Sequence, residues 1–342
     1  ALVGSFGGVN LFIDYDGGDG NDVTLFTAGL PGDFDNDGDI DFVGAAPPTV
    51  DGFGNVTSHG SFSIYTNQGN PNLFSFTTFD TNHGGQVIAA ADFNNDGNLD
   101  FVTSNIIFDR NNVVNVIFGD GTGMFAPAVQ YTNVPGTRAL ALGDMDNDGD
   151  IDIVLANGDR VMLNDGTGTF FTNFVGSDVL AGGSIAVGDV NEDGVLDIVT
   201  SREFAFQWHL DHVFLQLGTG NGQGDPGAPI NIPCGGLSPN RVAIADITHD
   251  GHLDIIALNE ETFTIAVMPG NGDGTFNSPV TTQVNPNTNI DPQVMAIADF
   301  DDDGNLDAFV TVKVFGNGTS HRESSVLLGD TTGSFSINQI IQ

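Results

Sequence analysis

From about residue 29 onward the chain repeats one order of apolar and polar positions. Each unit opens with a strand in which small and aliphatic residues alternate, as in Ser184-Ile185-Ala186-Val187, Val242-Ala243-Ile244-Ala245 and Val294-Met295-Ala296-Ile297-Ala298. Small residues at every second position suit crowded inner strands whose one face meets its neighbours closely. An acidic stretch follows, then a second short apolar strand: Asp41-Phe42-Val43, Asp152-Ile153-Val154, Asp254-Ile255-Ile256. A third strand ends in a Gly-rich turn before Phe, as in Phe118–Phe125, Asn164–Phe170 and Gly270–Phe276. That pattern predicts a hairpin to an outer strand, with the Phe packed between units.

The acidic stretch occurs six times, beginning at Asp33, Asp92, Asp144, Asp189, Asp246 and Asp299, at intervals of 45 to 59 residues. A period of this size marks a repeat architecture. Comparing the copies column by column assigns a role to each position. The first column is always Asp. The third is Asp35, Asn94, Asp146, Asn191, Thr248 and Asp301, so an oxygen is always offered. The fifth is Asp37, Asp96, Asp148, Asp193, Asp250 and Asp303, and the sixth is always Gly. The seventh varies, through Asp39, Asn98, Asp150, Val195, His252 and Asn305. A ligand position that tolerates Val must use its backbone carbonyl. The ninth returns to Asp in every copy: Asp41, Asp100, Asp152, Asp197, Asp254 and Asp307.

Hard oxygens around a sharp Gly-permitted turn suit Ca²⁺, with its roughly six to eight oxygen ligands, better than a soft-ligand metal. A generic Asp/Gly turn would explain one copy, not six that all keep the ninth Asp. The loop is not an EF-hand, which needs a bidentate Glu at the twelfth position; here that position holds Gly44, Thr103, Leu155, Thr200, Ala257 and Val310. The second and eighth columns are apolar, so the loop joins two strands.

An apolar strand, Asp-x-Asp-x-Asp-Gly-x-x-Asp and a second apolar strand together resemble the FG-GAP (VCBS-type, integrin-α-like) β-propeller repeat, over roughly residues 29–342. The resemblance implies an all-β propeller of six calcium-loop blades, each a four-stranded antiparallel sheet with about six Ca²⁺ sites in all. The family commonly has seven blades, so a reduced seventh from residues 1–28 is one of the open readings of that segment. Thr248 departs from an ideal ligand, which singles out the fifth site. The resemblance most often implies a non-catalytic extracellular interaction or structural module.

Lys and Arg total 7 against 45 carboxylates, for a net charge of −38. The first, third, fifth and ninth columns hold 21 of those Asp, so the proposed sites account for nearly half of the acidity. Even with Ca²⁺ bound, this balance argues against nucleic acid or an anionic membrane as partner. No run of about 18 apolar residues is present to span a membrane. The single cysteine, Cys234, excludes an internal disulfide and reads as a small buried hydrophobe. The acidic surface and calcium loops suit a secreted or cell-surface protein.

Residues 1–28 lie outside the repeat. Val9–Tyr15 and Val23–Thr27 read as strands around a turn at 17–22, which resembles one RTX-type calcium nonapeptide but reads more simply as a β-turn. Two uses stand for these strands: closing the ring within the molecule, or pairing with a neighbouring copy to build a homo-oligomer or fibre. Long, unlike insertions follow the second strand at Gly44–Gly60, Ser201–Asp211 and Lys313–Ser324. In an up-and-down meander they fall opposite the calcium loops, where a protein or glycan partner is expected.

His209 and His212 are too badly placed on a strand to share an ion. No G-x-S-x-G, H-E-x-x-H or Walker A motif occurs, and the expectation is a non-enzyme. A lectin, or part of a polysaccharide-acting enzyme, is the alternative. Three Tyr and one Trp supply few sugar-stacking platforms.

The column assignments make one comparison decisive. Asp37→Ala should cost the chain one bound Ca²⁺ by elemental analysis, whereas Asp39→Ala should leave the stoichiometry unchanged. Equal losses would refute the backbone-carbonyl role of the seventh column.

Overall fold

The computed structural model describes residues 2–6, 9–14, 24–26, 30–38, 41–46, 49–50, 56–58, 61–67, 74–80, 87–104, 113–132, 134, 137, 139–156, 160–174, 183–201, 210–286, 290–301, 303–316 and 319–341. These residues form β-strands and turns, with no helix among them. Six sheets are four-stranded antiparallel meanders in which strands follow one another in chain order, apart from a short insertion in the first. The second sheet is typical: Val87–Ala91, Asp100–Ser104, Val113–Ile117 and Val129–Thr132. Each sheet places its acidic loop between its first and second strands, and the second to sixth sheets place a Gly-containing hairpin between the third and fourth. By meander geometry both connections lie at the same end of the sheet.

The chain divides into two compact units, Ala1–Leu142 with Gly149–Thr172, and Gly143–Asp148 with Asn173–Gln342. The division runs through the third acidic loop. In the second unit, strand Asp254–Asn259 is buried along its whole length. It sends alternate residues to opposite sides: Ile255 and Ala257 join one core with Val199, Val213 and Leu215, while Ile256 and Leu258 join another with Ala308, Val310 and Leu327. Strand Thr264–Met268 divides likewise, with Ile265 and Val267 on one side and Ala266 and Met268 on the other. Sheets therefore stack face to face. This explains why the middle strands read as continuous apolar runs, although the period of two still governs which core each residue enters.

The first unit repeats the arrangement. Val102, Val114 and Val116 pack with Ile153, Leu155 and Met162, whereas Phe101 and Ile117 pack with Phe34, Val43 and Ile64. The Phe residues that end the three quoted hairpins, Phe125, Phe170 and Phe276, pack in these seams as expected, whereas the hairpin of the fourth sheet closes on Pro226. Phe170 meets the fully buried Phe93 edge-on at 5.5 Å, and Phe125 sits 5.0 Å from Phe101. Outer strands such as Val129–Thr132 and Ile230–Pro233 are largely exposed.

The amino-terminal strands are Val9–Asp14 and Thr24–Phe26, close to the expected bounds, and a third, Leu2–Phe6, was not evident in the pattern. They pair in chain order as a three-stranded sheet. The expected turn at 17–22 lies outside the described residues. Two insertions prove more regular than a loop. Gly44–Gly60 carries a small hairpin of Thr49–Val50 with Val56–Ser58. Lys313–Ser324 extends strands Asp307–Gly316 and Thr319–Gly329 into one long ladder. Its alternation is of the strand kind, with Val312 and Val314 buried and Phe315 exposed.

Phe93→Ala should cost about 3–5 kcal/mol, because it opens a cavity in a seam between stacked sheets. Urea unfolding would measure this; a cost of about 1 kcal/mol or less would mean that the seam collapses around the missing ring.

Candidate calcium loops

The acidic loops are shaped by their own carboxylates. The first-column Asp caps the turn: Asp33 Oδ1 and Oδ2 accept the backbone N–H groups of Asp37 and Gly38, at 3.0 and 2.9 Å. Asp92, Asp189, Asp246 and Asp299 repeat both bonds, and Asp144 accepts the Asp148 N–H at 3.0 Å. The fifth-column Asp takes the seventh residue's N–H, as Asp96 does from Asn98, Asp193 from Val195, Asp250 from His252 and Asp303 from Asn305, at 2.7–3.0 Å. The sixth-column Gly stands at φ between +84° and +97° in all six copies. An added Cβ would meet nothing within 4 Å, so backbone conformation and not space demands Gly there.

The ninth-column Asp is fully buried in every copy. In the second sheet Asp100 Oδ2 accepts the Phe93 N–H at 2.9 Å and Oδ1 accepts the Gly119 N–H at 2.9 Å. One carboxylate thus ties the start of the loop to the end of the third strand. Asp197 (from Val190 and Gly218), Asp254 (from Ile247 and Gly270) and Asp307 (from Phe300 and Gly329) do the same. Asp41 accepts from Phe34 and Asp152 from Asn164. The hairpin Gly allows the close approach: a Cβ on Gly119, Gly270 or Gly329 would lie 2.0–2.3 Å from the carbonyl oxygen of Leu99, Leu253 or Leu306. This clamp escaped the sequence reading, which assigned the ninth Asp to ligation alone. The recurrence of that Asp in all six copies was the available signal. A carboxylate has about four lone-pair sites, so two N–H bonds leave room for a cation.

Ligand-column oxygens converge in the first and sixth loops, where atoms of Asp33, Asp35 and Asp37, and of Asp299, Asp301 and Asp303, lie within 4.8 Å of one another. The Oδ1 atoms of Asp35 and Asp146 are buried with no hydrogen-bond partner among the described residues. Burial raises both carboxyls, and the neighbouring carboxylates add to it: Asp37 and Asp33 for Asp35, Asp148 and Asp144 for Asp146. Burial also raises Asp254 and Asp307, and pushes Asp100 and Asp197 up to about 6. Buried, mutually repelling carboxylates with unpartnered oxygens are the donor set a hard divalent cation fits.

The remaining candidates are distributed as follows. Asn94 and Asn191 keep an oxygen toward the loop, accepting the N–H of Asp96 and Asp193. Thr248 donates its N–H to Asp254 at 2.9 Å. Asp39 lies outside the described residues, as does His209. His212 bonds Asp211 at 3.0 Å and stacks edge-on against Phe214. Cys234 is buried, as expected, and its thiol donates to Asn259.

The FG-GAP-like repeat model matches residues 33–103, 144–200 and 246–310, more than half of the chain, and the protein belongs to that family. Each matched stretch contains two complete acidic loops. No curated protein matches the chain. Among solved structures, it is similar to an Agrocybe aegerita lectin that specifically recognises non-reducing terminal N-acetylglucosamine, at 19% identity and a TM-score of 0.56, covering 93% of this chain and 84% of the lectin. It is also similar to a Lactobacillus plantarum protein at 13% identity and a TM-score of 0.57, covering 88% of this chain and 82% of that one. At these identities the likeness concerns the fold, which is all-β and propeller-like.

The raised carboxyls set the pH response of the calcium-stripped chain. A carboxyl whose pKa is higher folded than unfolded binds its proton more tightly in the folded state. The stability it contributes is complete below the unfolded value near 3.8 and is lost as pH rises through about 6. The stripped chain should therefore melt at a higher temperature near about pH 5 than near about pH 7. A midpoint that climbs steadily with pH over this range would contradict the assignment.

Proposed function

We propose that this protein is a calcium-stabilised, non-catalytic β-propeller, secreted or displayed at the cell surface, that serves as a structural or adhesive interaction module. Six four-stranded sheets, each with one acidic loop, support six blades with one Ca²⁺ apiece. The observation that carries the calcium reading is the buried, unpartnered carboxylate oxygen of Asp35 and of Asp146, each set among further carboxylates. The first, third, fifth and ninth side chains and the seventh carbonyl would hold the ion, and the ion would supply the countercharge the clamp carboxylates lack. The separate three-stranded meander of the amino-terminal strands favours a reduced seventh blade over strands lent to a neighbouring copy.

The partner is a protein or a glycan, bound at the strand ends remote from the acidic loops. All seven Lys and Arg (Arg110, Arg138, Arg160, Arg202, Arg241, Lys313, Arg322) fall by sequence at those ends or in the segments beyond them, and none falls in an acidic loop or Gly-rich hairpin. The ladder formed by Lys313–Ser324 adds an exposed aromatic ring, with Lys313 Nζ 5.2 Å from the centroid of Phe315. A ring beside a cation also supports the glycan reading, and a glycan array tests it directly.

At about tenfold excess of calcium over each dissociation constant, linkage gives ~1.4 kcal/mol per site and about 8 kcal/mol over six sites, as much as a typical domain's whole stability. Chelation should therefore lower the melting temperature steeply. An unchanged melting curve, together with no calcium by elemental analysis, would sink the proposal.

A further inference from the structure

The fourth residue of the acidic loop belongs to no ligand column, yet it is conformationally singular. Asn36, Asn95, Asn147, Glu192 and His249 all stand at φ between +55° and +61°. Asn adopts this left-handed region readily and His is enriched there too, whereas Glu is not. In four of these loops the side chain reaches the loop of the next sheet. Asn36 Nδ2 donates to Asn98 Oδ1 at 2.9 Å, and Asn95 Nδ2 to Asp150 Oδ1 at 2.7 Å. Asn147 Nδ2 donates to the Gly194 carbonyl at 2.9 Å, and Glu192 Oε1 pairs with His252 Nδ1 at 2.5 Å.

The partners are Asn98, Asp150 and His252, three seventh-column residues, together with the carbonyl just before Val195. Their chemistry is matched. Where the fourth residue is an amide donor, the seventh is an acceptor, Asn98 or Asp150. Where the seventh is Val195 and offers no polar atom, Asn147 takes the adjacent backbone carbonyl instead. Where the fourth residue becomes a carboxylate, Glu192, the seventh becomes His252, which can donate. The seventh column, free to vary as a carbonyl ligand, is thus constrained by the loop before it. At the next junction Asn305 bonds Asp303 in its own loop, and Asp302 and Asp39 lie outside the described residues.

We infer that the fourth-column residues Asn36, Asn95, Asn147 and Glu192 are positioning residues that couple calcium binding in adjacent loops. This rests on the calcium reading above. Each holds the segment that presents the next loop's carbonyl ligand, so an ion that orders one loop also orders the contact its neighbour makes. By linkage the effect runs both ways.

Calcium titration calorimetry on the full chain tests this. Asn95→Ala, which removes no proposed ligand, should weaken uptake at the second and third loops about threefold. His252→Asp sets two carboxylates against each other and should weaken the fourth and fifth loops about tenfold. Adding Glu192→Asn to His252→Asp re-creates the Asn–Asp pairing of Asn95 with Asp150 and should restore binding to within about twofold of wild type. The substitution that harms the wild-type pairing would then rescue the altered one, which a merely structural role does not predict. If a variant fails to fold, Asn36→Ala repeats the test at a separate junction. Wild-type uptake with an Asn95→Ala isotherm that superimposes on it, or no rescue by Glu192→Asn, overturns the coupling alone. A wild-type chain that takes up no calcium overturns both the coupling and the calcium reading.

Discussion

Every four-stranded sheet of this protein depends on one buried carboxylate. The ninth Asp of the acidic loop accepts backbone N–H groups, and in four sheets it joins the loop's second residue to the Gly that ends the third strand. A charge placed there is costly, because burial in low dielectric disfavours the ionised form, and two N–H bonds offset only part of that cost. Neutral Asn would keep an acceptor at lower cost but would lose the charge. Retaining a carboxylate in all six copies makes sense if a cation stands nearby, and the neighbouring ligand columns offer it a place.

The same clamp explains the local architecture. It fixes the acidic loop against the hairpin, and the hairpin in turn meets the loop of the preceding sheet: the Gly123 N–H bonds the Phe34 carbonyl, and the Gly274 N–H bonds that of Val190. At these two junctions loop and hairpin form a polar rim over an apolar interior in which alternate residues of one strand serve two cores. The rim concentrates acid at one end of each sheet, and the chain's few cations fall by sequence toward the other. That separation leaves the remote connections free to differ in length and composition, as Gly44–Gly60 and Lys313–Ser324 do.

What the sequence determined by itself was whatever nine consecutive residues can carry. The first, third and fifth acidic oxygens, the Gly that must stand at positive φ, the apolar second and eighth positions and the strands on either side are local requirements, so each copy displays them in full. The hairpin Phe was legible for the same reason, as a large apolar residue after a Gly turn in a repeating unit. The first strand of the last sheet was legible too, whereas in Lys313–Ser324 the alternation of Val312 and Val314 with Lys313 and Phe315 was present but was read as an insertion. Leu2–Phe6 was missed because one short strand without a repeated partner has no column to compare with.

Only the tertiary structure decided the rest, because the interacting groups are distant in the chain. Asp100 meets the Gly119 N–H 19 residues later, so a pattern confined to the loop could only assign that Asp to the ion. The seventh column looked unconstrained because it was compared only with itself across copies, and the fourth was given no role at all. Their true partners lie 62 residues apart in Asn36 and Asn98, 55 in Asn95 and Asp150, and 60 in Glu192 and His252. The match of donor to acceptor exists between the columns of neighbouring repeats, and stacking the sheets is what brings those columns together.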